Sequence, residues 1–445
     1  MKIGLIAMSG VRAHDPALTA LGLTLPGFVE RNRVIASLPS LGLLTLAGAT
    51  PAGVELEYLD VPTLKPAPWR PGDFDAVAIS SFTAQIKDAY ELADRYRAGG
   101  TPVVLGGLHV TALPHEAAEH ADAIVLGEGE PLWPQLVQDL TRGCLAPVYD
   151  ARRLAFDLSQ SPMPRYELLD IERYNRLTVQ TERGCPFDCE FCAASIRLAP
   201  GFKLKPVDRV IDEVRLITSL WPRPFIEFAD DNTFANKRHG RELLRALAGQ
   251  RVRWFTETDV SVASDPDLLS LMRDSGCAQV LIGFEAPARA PLEGLERKSN
   301  WKARQIDGYA SAIERIQSFG ITVNGCFILG LDGAGPDSFD EVLRFVRASG
   351  LYEVQITVQT AFPGTPLYER LKREGRLLHD GAWERCTLFD VNFTPSGMSV
   401  AELEQGLRDL ARQLYDRRET GARRRRFRKQ LRAARRAAAA GPGGG

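Results

Sequence analysis

Along the first 145 or so residues, short apolar runs alternate with segments of helical period: KIGLIAM, VELEYLDV, AVAIS, PVVLGG and AIVLGEG. That rhythm predicts a parallel sheet with crossover helices. Between AVAIS and PVVLGG, Ile86, Ala89, Tyr90, Ala93 and Tyr96 recur at helical spacing, which predicts an amphipathic crossover. The predicted strands end in small or polar residues: Ser80, Ser81 and Thr83, then Gly106 and Gly107, then Gly127 and Glu128. Sheets of this kind bind ligands at the carboxyl ends of their strands.

Residues 146–175, with Pro147, Pro162 and Pro164 among polar residues, read as a linker. A second series follows within 176–375: LTVQ, PFIEF, RWF, QVLIGF, VNGCFILG and VQITVQ, with helix-compatible stretches between most of them. Helical spacing is clearest at Val207, Val210, Ile211, Val214 and Ile217. Six β/α units predict an open, three-quarter TIM-type barrel with its function at the strands' carboxyl ends. Residues 376–422 turn helical, and 423–445 form a low-complexity tail whose Arg/Ala part is compatible with a helix and whose end is expected to be disordered.

With 445 residues, 44% hydrophobic and 25% charged, the chain is ordinary globular material for two or three domains, which excludes a disordered or collagen-like protein. No run is long and apolar enough for a membrane span, and MKIGLIAMSG reads as a strand and not as a secretory signal, so a cytoplasmic protein is expected. The net charge of −1 is uneven: residues 423–445 hold nine Lys and Arg and no acid, and removing them leaves −10 for residues 1–422. Seven Cys is an odd number, and three of them fall close together, which suits metal or redox chemistry better than a disulfide framework.

Those three lie in Arg183-Gly184-Cys185-Pro186-Phe187-Asp188-Cys189-Glu190-Phe191-Cys192, directly after the first strand of the second series. A structural zinc site takes four protein ligands, and no fourth Cys or His lies nearby. A thioredoxin-like pair would leave Cys185 unexplained. A cubane iron–sulfur cluster on three cysteines keeps one iron open, which gives the odd ligand count a purpose.

The C-x3-C-x2-C spacing with an aromatic residue before its third cysteine resembles the signature of the radical S-adenosylmethionine (SAM) enzymes. The resemblance implies that Cys185, Cys189 and Cys192 bind a [4Fe-4S] cluster whose open iron is chelated by SAM, with Phe191 beside it. It also implies reductive cleavage of SAM to a 5′-deoxyadenosyl radical that abstracts hydrogen from a substrate, with electrons from an external donor such as flavodoxin or ferredoxin. Ala229-Asp230-Asp231-Asn232 stands where the family holds the SAM amino group, so Asp230 or Asp231 is expected to do so. Gly283-Phe284-Glu285-Ala286 resembles the segment whose Glu contacts SAM, against the plainer reading of a solvated acid at a strand end. Phe327-Ile328-Leu329-Gly330 resembles the adenine-supporting segment, with Ile328 and Gly330 as the contacts, although ordinary core would look much the same. Thr256-Glu257-Thr258-Asp259 departs from the Gln and Arg frequent in cobalamin-linked relatives. Phe362-Pro363-Gly364-Thr365-Pro366 reads as a rigid turn. No catalytic acid or base is assigned from the sequence.

The first domain resembles the cobalamin-binding domain fused to many of these enzymes. The overall fold class is therefore α/β, with a doubly wound, Rossmann-like domain before a partial (β/α)6 barrel and carboxyl-terminal helices. Leu38-Pro39-Ser40-Leu41-Gly42, Ser80-Ser81, Gly106-Gly107-Leu108-His109-Val110-Thr111 and Gly127-Glu128-Gly129-Glu130 carry the resemblance, which implies a cobalamin site of Ser80, Ser81, Thr83, Gly106, Gly107, His109, Thr111, Gly127 and Glu128. Glycines at strand ends admit a large flat ligand, and hydroxyls supply donors. The D-x-H-x-x-G motif that places a His under cobalt is absent, and His109 as a lone imidazole is also readable as structural.

The leading expectation is cobalamin-dependent methylation of an unactivated carbon or phosphorus of a small-molecule or lipid intermediate. The alternatives are radical cyclisation, coupling or rearrangement without cobalamin, a nucleic-acid-modifying enzyme, and a non-catalytic cluster or cobalamin carrier. The basic tail is compatible with phosphate contacts, but the first domain has only Cys144 where methylthiotransferase-type enzymes carry three cluster cysteines, so nucleic acid is not the expected partner. Glu353, Gln355, Thr357 and Gln359 alternate along the last strand and share one face, inward or outward.

Overall fold

The computed structural model of the chain describes residues 1–8, 10, 13–21, 38–64, 72–193 and 201–440, the side chains of 437–440 excepted. The first sheet contains β1 (Lys2–Met8), β2 (Glu55–Asp60), β3 (Ala76–Ser81), β4 (Val103–Gly106), β5 (Ala123–Leu126) and β6 (Val148–Asp150). All pairs are parallel, in the order β2-β1-β3-β4-β5-β6. β1, β4 and β5 are almost wholly buried, as strands covered by helices on both faces must be. The crossover helix Ile86–Ala98 turns Ile86, Ala89, Tyr90, Ala93 and Tyr96 into the core, the residues whose spacing predicts it. β6 was not anticipated: it is three residues long and lies inside the stretch read as a linker.

The second sheet begins at β7 (Leu177–Val179). A two-stranded antiparallel hairpin follows, β8 (Glu182–Arg183) with β9 (Lys203–Leu204). Then come β10 (Phe225–Phe228), β11 (Arg253–Thr258), β12 (Cys277–Glu285), β13 (Thr322–Leu329) and β14 (Glu353–Val358). The order is β14-β13-β12-β11-β10-β7, all parallel, so the six predicted strands form one open barrel wall in sequence order. Paired residues in parallel strands share a face. Outside, Trp254 of β11 packs on Phe228 of β10, ring centroids 5.2 Å apart, under the surrounding helices. Inside, Thr178, Glu227, Phe255, Gln279 and Thr322 form one layer, and Glu257, Leu281, Asn324 and Glu353 the next. The alternating residues of β14 therefore face inward.

The helix Val400–Leu414 starts at a capping box between Ser399 and Glu402 and covers β14. The Arg-rich segment is a second helix, Arg417–Ala440, lying under the amino-terminal end of β14. Its buried Arg423 donates to Glu353 (3.5 Å), Arg424 does the same (3.4 Å), and Phe427 packs edge-on against Tyr352. Residues 441–445, where disorder was expected, lie outside the described residues. Among the described residues no helix is long and apolar enough to cross a membrane.

Candidate functional site

The cysteine loop leaves the barrel at the carboxyl end of β7 and is fastened there by Asp230. One carboxylate oxygen of Asp230 accepts from the backbone amides of Thr181 (2.8 Å) and Glu182 (3.1 Å); the other accepts from the hydroxyls of Thr181 (2.5 Å) and Thr233 (2.8 Å). Asp230 is thus fully engaged in holding the loop's root, while Asp231 opens into a cleft. Gly184, at φ 83°, is a position where a Cβ would come within 2.8 Å of the Gly201 carbonyl, so only glycine fits between the loop's two limbs. Further along, Glu190 donates its amide to the Leu295 carbonyl (3.1 Å) and receives Arg370 (2.6 Å) on its carboxylate.

Cys185, Cys189 and Cys192 are half-buried on this loop, and no disulfide joins them. Burial pushes the Cys185 thiol up to about 11 and the Cys189 thiol up to about 12. Ligation of a metal here would displace protons from two thiols that hold them at neutral pH. Phe191 and Ile328 both pack against one small apolar cluster that includes Ala286, Leu295 and Leu331. Two of the residues expected beside SAM thus share one patch next to the loop.

Glu285 sits at a register shift in β12, at φ 62°, a left-handed conformation that a side chain other than glycine rarely adopts. Lys302 accounts for the arrangement: its ammonium donates to the Gly283 carbonyl (2.8 Å) and to Glu285 (2.6 Å). Burial works against that charge, but Glu285 and then Cys189 more than offset it and hold Lys302 above its ordinary value. A fixed cation beside Cys189 favours a thiolate there. Lys302 carries no motif, and sequence reasoning missed it. Gly330, at φ 79°, lets the helix Val400–Leu414 approach, since a Cβ would meet Leu403 at 2.7 Å.

A cleft of about 450 Å³ opens between the carboxyl ends of the first sheet and this loop. Ser80, Gly106, Gly107, Gly127 and Glu128 line it from the first domain, and Glu182, Arg183, Gly184 and Asp231 from the second. A Cβ on Gly129 would meet Leu46 at 3.2 Å, whereas one on Gly42 would project into open space. The glycines thus keep one wall flat, a cradle that fits a broad planar ligand. Thr111 stands behind that wall, its hydroxyl accepting from the Gly127 amide (3.0 Å). Ser81, Thr83 and His109 are not among the cleft's lining residues. His109 is buried, with its ring nitrogens 3.4 Å from the Thr83 hydroxyl and 3.2 Å from Glu116, whose other oxygen accepts from the Trp383 indole (3.0 Å).

Across the cleft, Arg183 donates to Glu128 and Glu130, both at 2.7 Å, and Lys203 donates to Glu128 at 2.6 Å. This charge network ties the root of the cysteine loop to the first domain. Glu182 beside it is 1% exposed, and among the described residues neither of its carboxylate oxygens has a hydrogen-bond partner. Burial first, then the carboxylates of Asp230 and Asp231, push it up to about 10. Inside the barrel, burial and the carboxylates of Glu227, Asp231, Glu285 and Asp230 push Glu257 up to about 8.

Comparisons with known proteins agree with this geometry. Residues 179–346 match the model of the radical SAM superfamily, residues 33–137 that of the B12 binding domain, and residues 365–442 a domain of unknown function. An uncharacterized methyltransferase of Synechocystis sp. is 32% identical over 371 residues, 81% of this chain and 67% of the relative. The bacteriochlorophyllide d C-12(1)-methyltransferase of Chlorobaculum tepidum is 28% identical over 84% of this chain and 82% of its own length. Among solved structures, the radical SAM methyltransferase TsrM from Kitasatospora setae, with cobalamin and a [4Fe-4S] cluster bound, superposes with a TM-score of 0.66. That match has 16% identity and covers 98% of this chain and 99% of the other. The two domains and the cleft between them define a B12-domain radical SAM enzyme. This chain belongs to the radical SAM superfamily, among its methyltransferases, and its cofactors are a [4Fe-4S] cluster, SAM and cobalamin.

Proposed function

We propose that the enzyme transfers a methyl group from SAM, by way of cobalamin, to an unactivated carbon or phosphorus of a small-molecule or lipid intermediate. The observation that carries the proposal is the shared cleft: glycine-ended strands of the first domain and the root of the cysteine loop line one cavity. Bound together, the cluster, SAM and cobalamin supply radical formation and a transferable methyl group. The chain supplies position, charge and exclusion of water.

In this reading Cys185, Cys189 and Cys192 hold the cluster, and Lys302 keeps a positive charge beside Cys189. Asp231 receives the SAM amino group, because Asp230 is occupied by Thr181, Glu182 and Thr233. Phe191, Ile328 and the patch they share support the adenine side. Ser80, Gly106, Gly107, Gly127 and Glu128 form the cobalamin wall, with Thr111 setting the Gly127 turn from behind. His109 serves as a tie between the first domain and Trp383 through Glu116. An external flavodoxin or ferredoxin supplies electrons.

Anaerobic reconstitution with iron, sulfide and hydroxocobalamin tests the proposal. About four irons and one cobalt per chain, followed by label transfer from methyl-labelled SAM into a product, is the expected result. Iron without cobalt overturns the methyl-transfer route and leaves radical cleavage of SAM. Cobalt and iron with 5′-deoxyadenosine but no labelled product points to cyclisation or rearrangement.

A further inference from the structure

Among the described residues, not every carboxylate on the inner face of the barrel is met by a cation. Arg176 is buried at the floor and donates to Glu227. Arg423 and Arg424 take Glu353, also at the floor, and Lys302 takes Glu285 beside the cysteine loop. Glu257 lies one strand from Asp231 and on the same inner face as Leu281 and Asn324. Among the described residues its carboxylate has neither an ion-pair nor a hydrogen-bond partner. Three strands along the same inner face, on β14 and just after it, Gln355 and Gln359 are 5% and 2% exposed, and their side-chain oxygens also lack partners among the described residues. Native proteins rarely leave buried groups such as the Gln355 and Gln359 oxygens unmet, because each forfeits its hydration without compensation.

We infer that Glu257 is a specificity-determining residue that accepts a hydrogen bond from a hydroxyl or ammonium group of the substrate. The inference rests on the methyltransferase reading above, in which Asp231 is already engaged by SAM. The substrate class that follows is a hydroxylated or aminated molecule. A carboxylate or phosphate in this part of the lumen would face unneutralised carboxylates and find every nearby cation taken. A bare hydrocarbon would leave Glu257, Gln355 and Gln359 without partners. Burial and, after it, the neighbouring acids lift Glu257 to about 8, and the same acids attract a cation. An arriving ammonium supplies the missing charge and displaces the proton.

Iron- and SAM-loaded enzyme, with the SAM seat thereby filled, provides the test. The probes are cyclohexylamine, cyclohexanol and cyclohexanecarboxylate, one skeleton with three head groups, followed by saturation-transfer NMR. The amine and the alcohol are expected to bind at least tenfold more tightly than the carboxylate. Glu257→Gln lowers amine affinity at least tenfold while iron content and SAM affinity stay the same, and calorimetry at pH 7 in two buffers of different ionisation enthalpy shows proton release on amine binding to the parent enzyme only. Equal binding of carboxylate and amine, amine binding indifferent to Glu257→Gln, or binding of none of the three overturns the inference. Failure of the methyltransferase reading shows separately, as iron- and cobalt-loaded enzyme that transfers no label from SAM, and leaves the amine-to-carboxylate ratio untouched.

Discussion

The two sheets of this enzyme share a plan and differ in chemistry. Each has six parallel strands and presents the carboxyl ends of those strands to a ligand space. In the first sheet the ends that line the cleft are Ser80, Gly106, Gly107 and Gly127, and the acids that follow them, Glu128 and Glu130, are bound by Arg183, with Lys203 also on Glu128. In the second sheet the ends carry Asp231, Glu257 and Glu285, of which, among the described residues, only Glu285 has a cation. Identical backbone direction therefore yields a smooth neutral wall in one place and a charged lumen in the other. The choice is made by one or two residues per strand, where side-chain volume decides how close a flat ligand comes and unpaired charge decides what small groups are held.

The sharpest way to separate the two spaces is to destroy one. Cys189→Ala is expected to reduce iron content and SAM cleavage to background while cobalamin binding persists, measured by metal analysis and the visible spectrum. Loss of both cofactors would show that the sheets do not act independently. Next in size is Arg183→Ala, which leaves Glu130 without a cation and Glu128 with Lys203 alone. Removing one member of such a buried set costs about 3 kcal/mol, read by urea denaturation; a cost under about 1 kcal/mol would mean that other contacts join the domains.

Gly42→Leu tests the smooth wall directly, since its side chain would enter open space at the cleft. Cobalamin affinity is expected to fall about tenfold, equivalent to about 1.4 kcal/mol, with iron content and thermal stability unchanged. The smallest effect concerns pH. Glu257 holds a proton in the native state up to about 8, whereas the unfolded carboxyl releases it near 4.5. The native state therefore binds more protons in that window, and stability falls as pH rises through it. Glu257→Gln removes this slope, so its apparent Tm at pH 8.5 exceeds that of the parent by about 2 °C, and at pH 4 the two agree.

All six barrel strands were legible because each is an apolar run with a buried outer face, and the crossover helix was legible from a single stripe. β6 and the β8–β9 hairpin were not, because three residues or two carry no period. Asp230 and Asp231 were equivalent as letters. Neighbouring positions at a strand end point in different directions, and only the fold shows that one turns back to Thr181 while the other opens to the cleft. The face of Gln355 and Gln359 needed the register with β13. Lys302 was invisible because its meaning comes from Glu285 and Cys189, which lie far from it in sequence and beside it in space. His109, singled out by its place after a glycine pair, proves to be enclosed by Thr83 and Glu116.

Arg183 stands two residues before Cys185 and grips two acids of the other domain. Thermodynamic reciprocity makes that grip a two-way link. By however much settling the cysteine loop steadies the wall of the neighbouring cleft, filling the cleft steadies the loop by the same free energy. The cobalamin affinity of iron-loaded enzyme, set against that of iron-free enzyme, therefore reads the same free energy as the iron affinity with and without cobalamin.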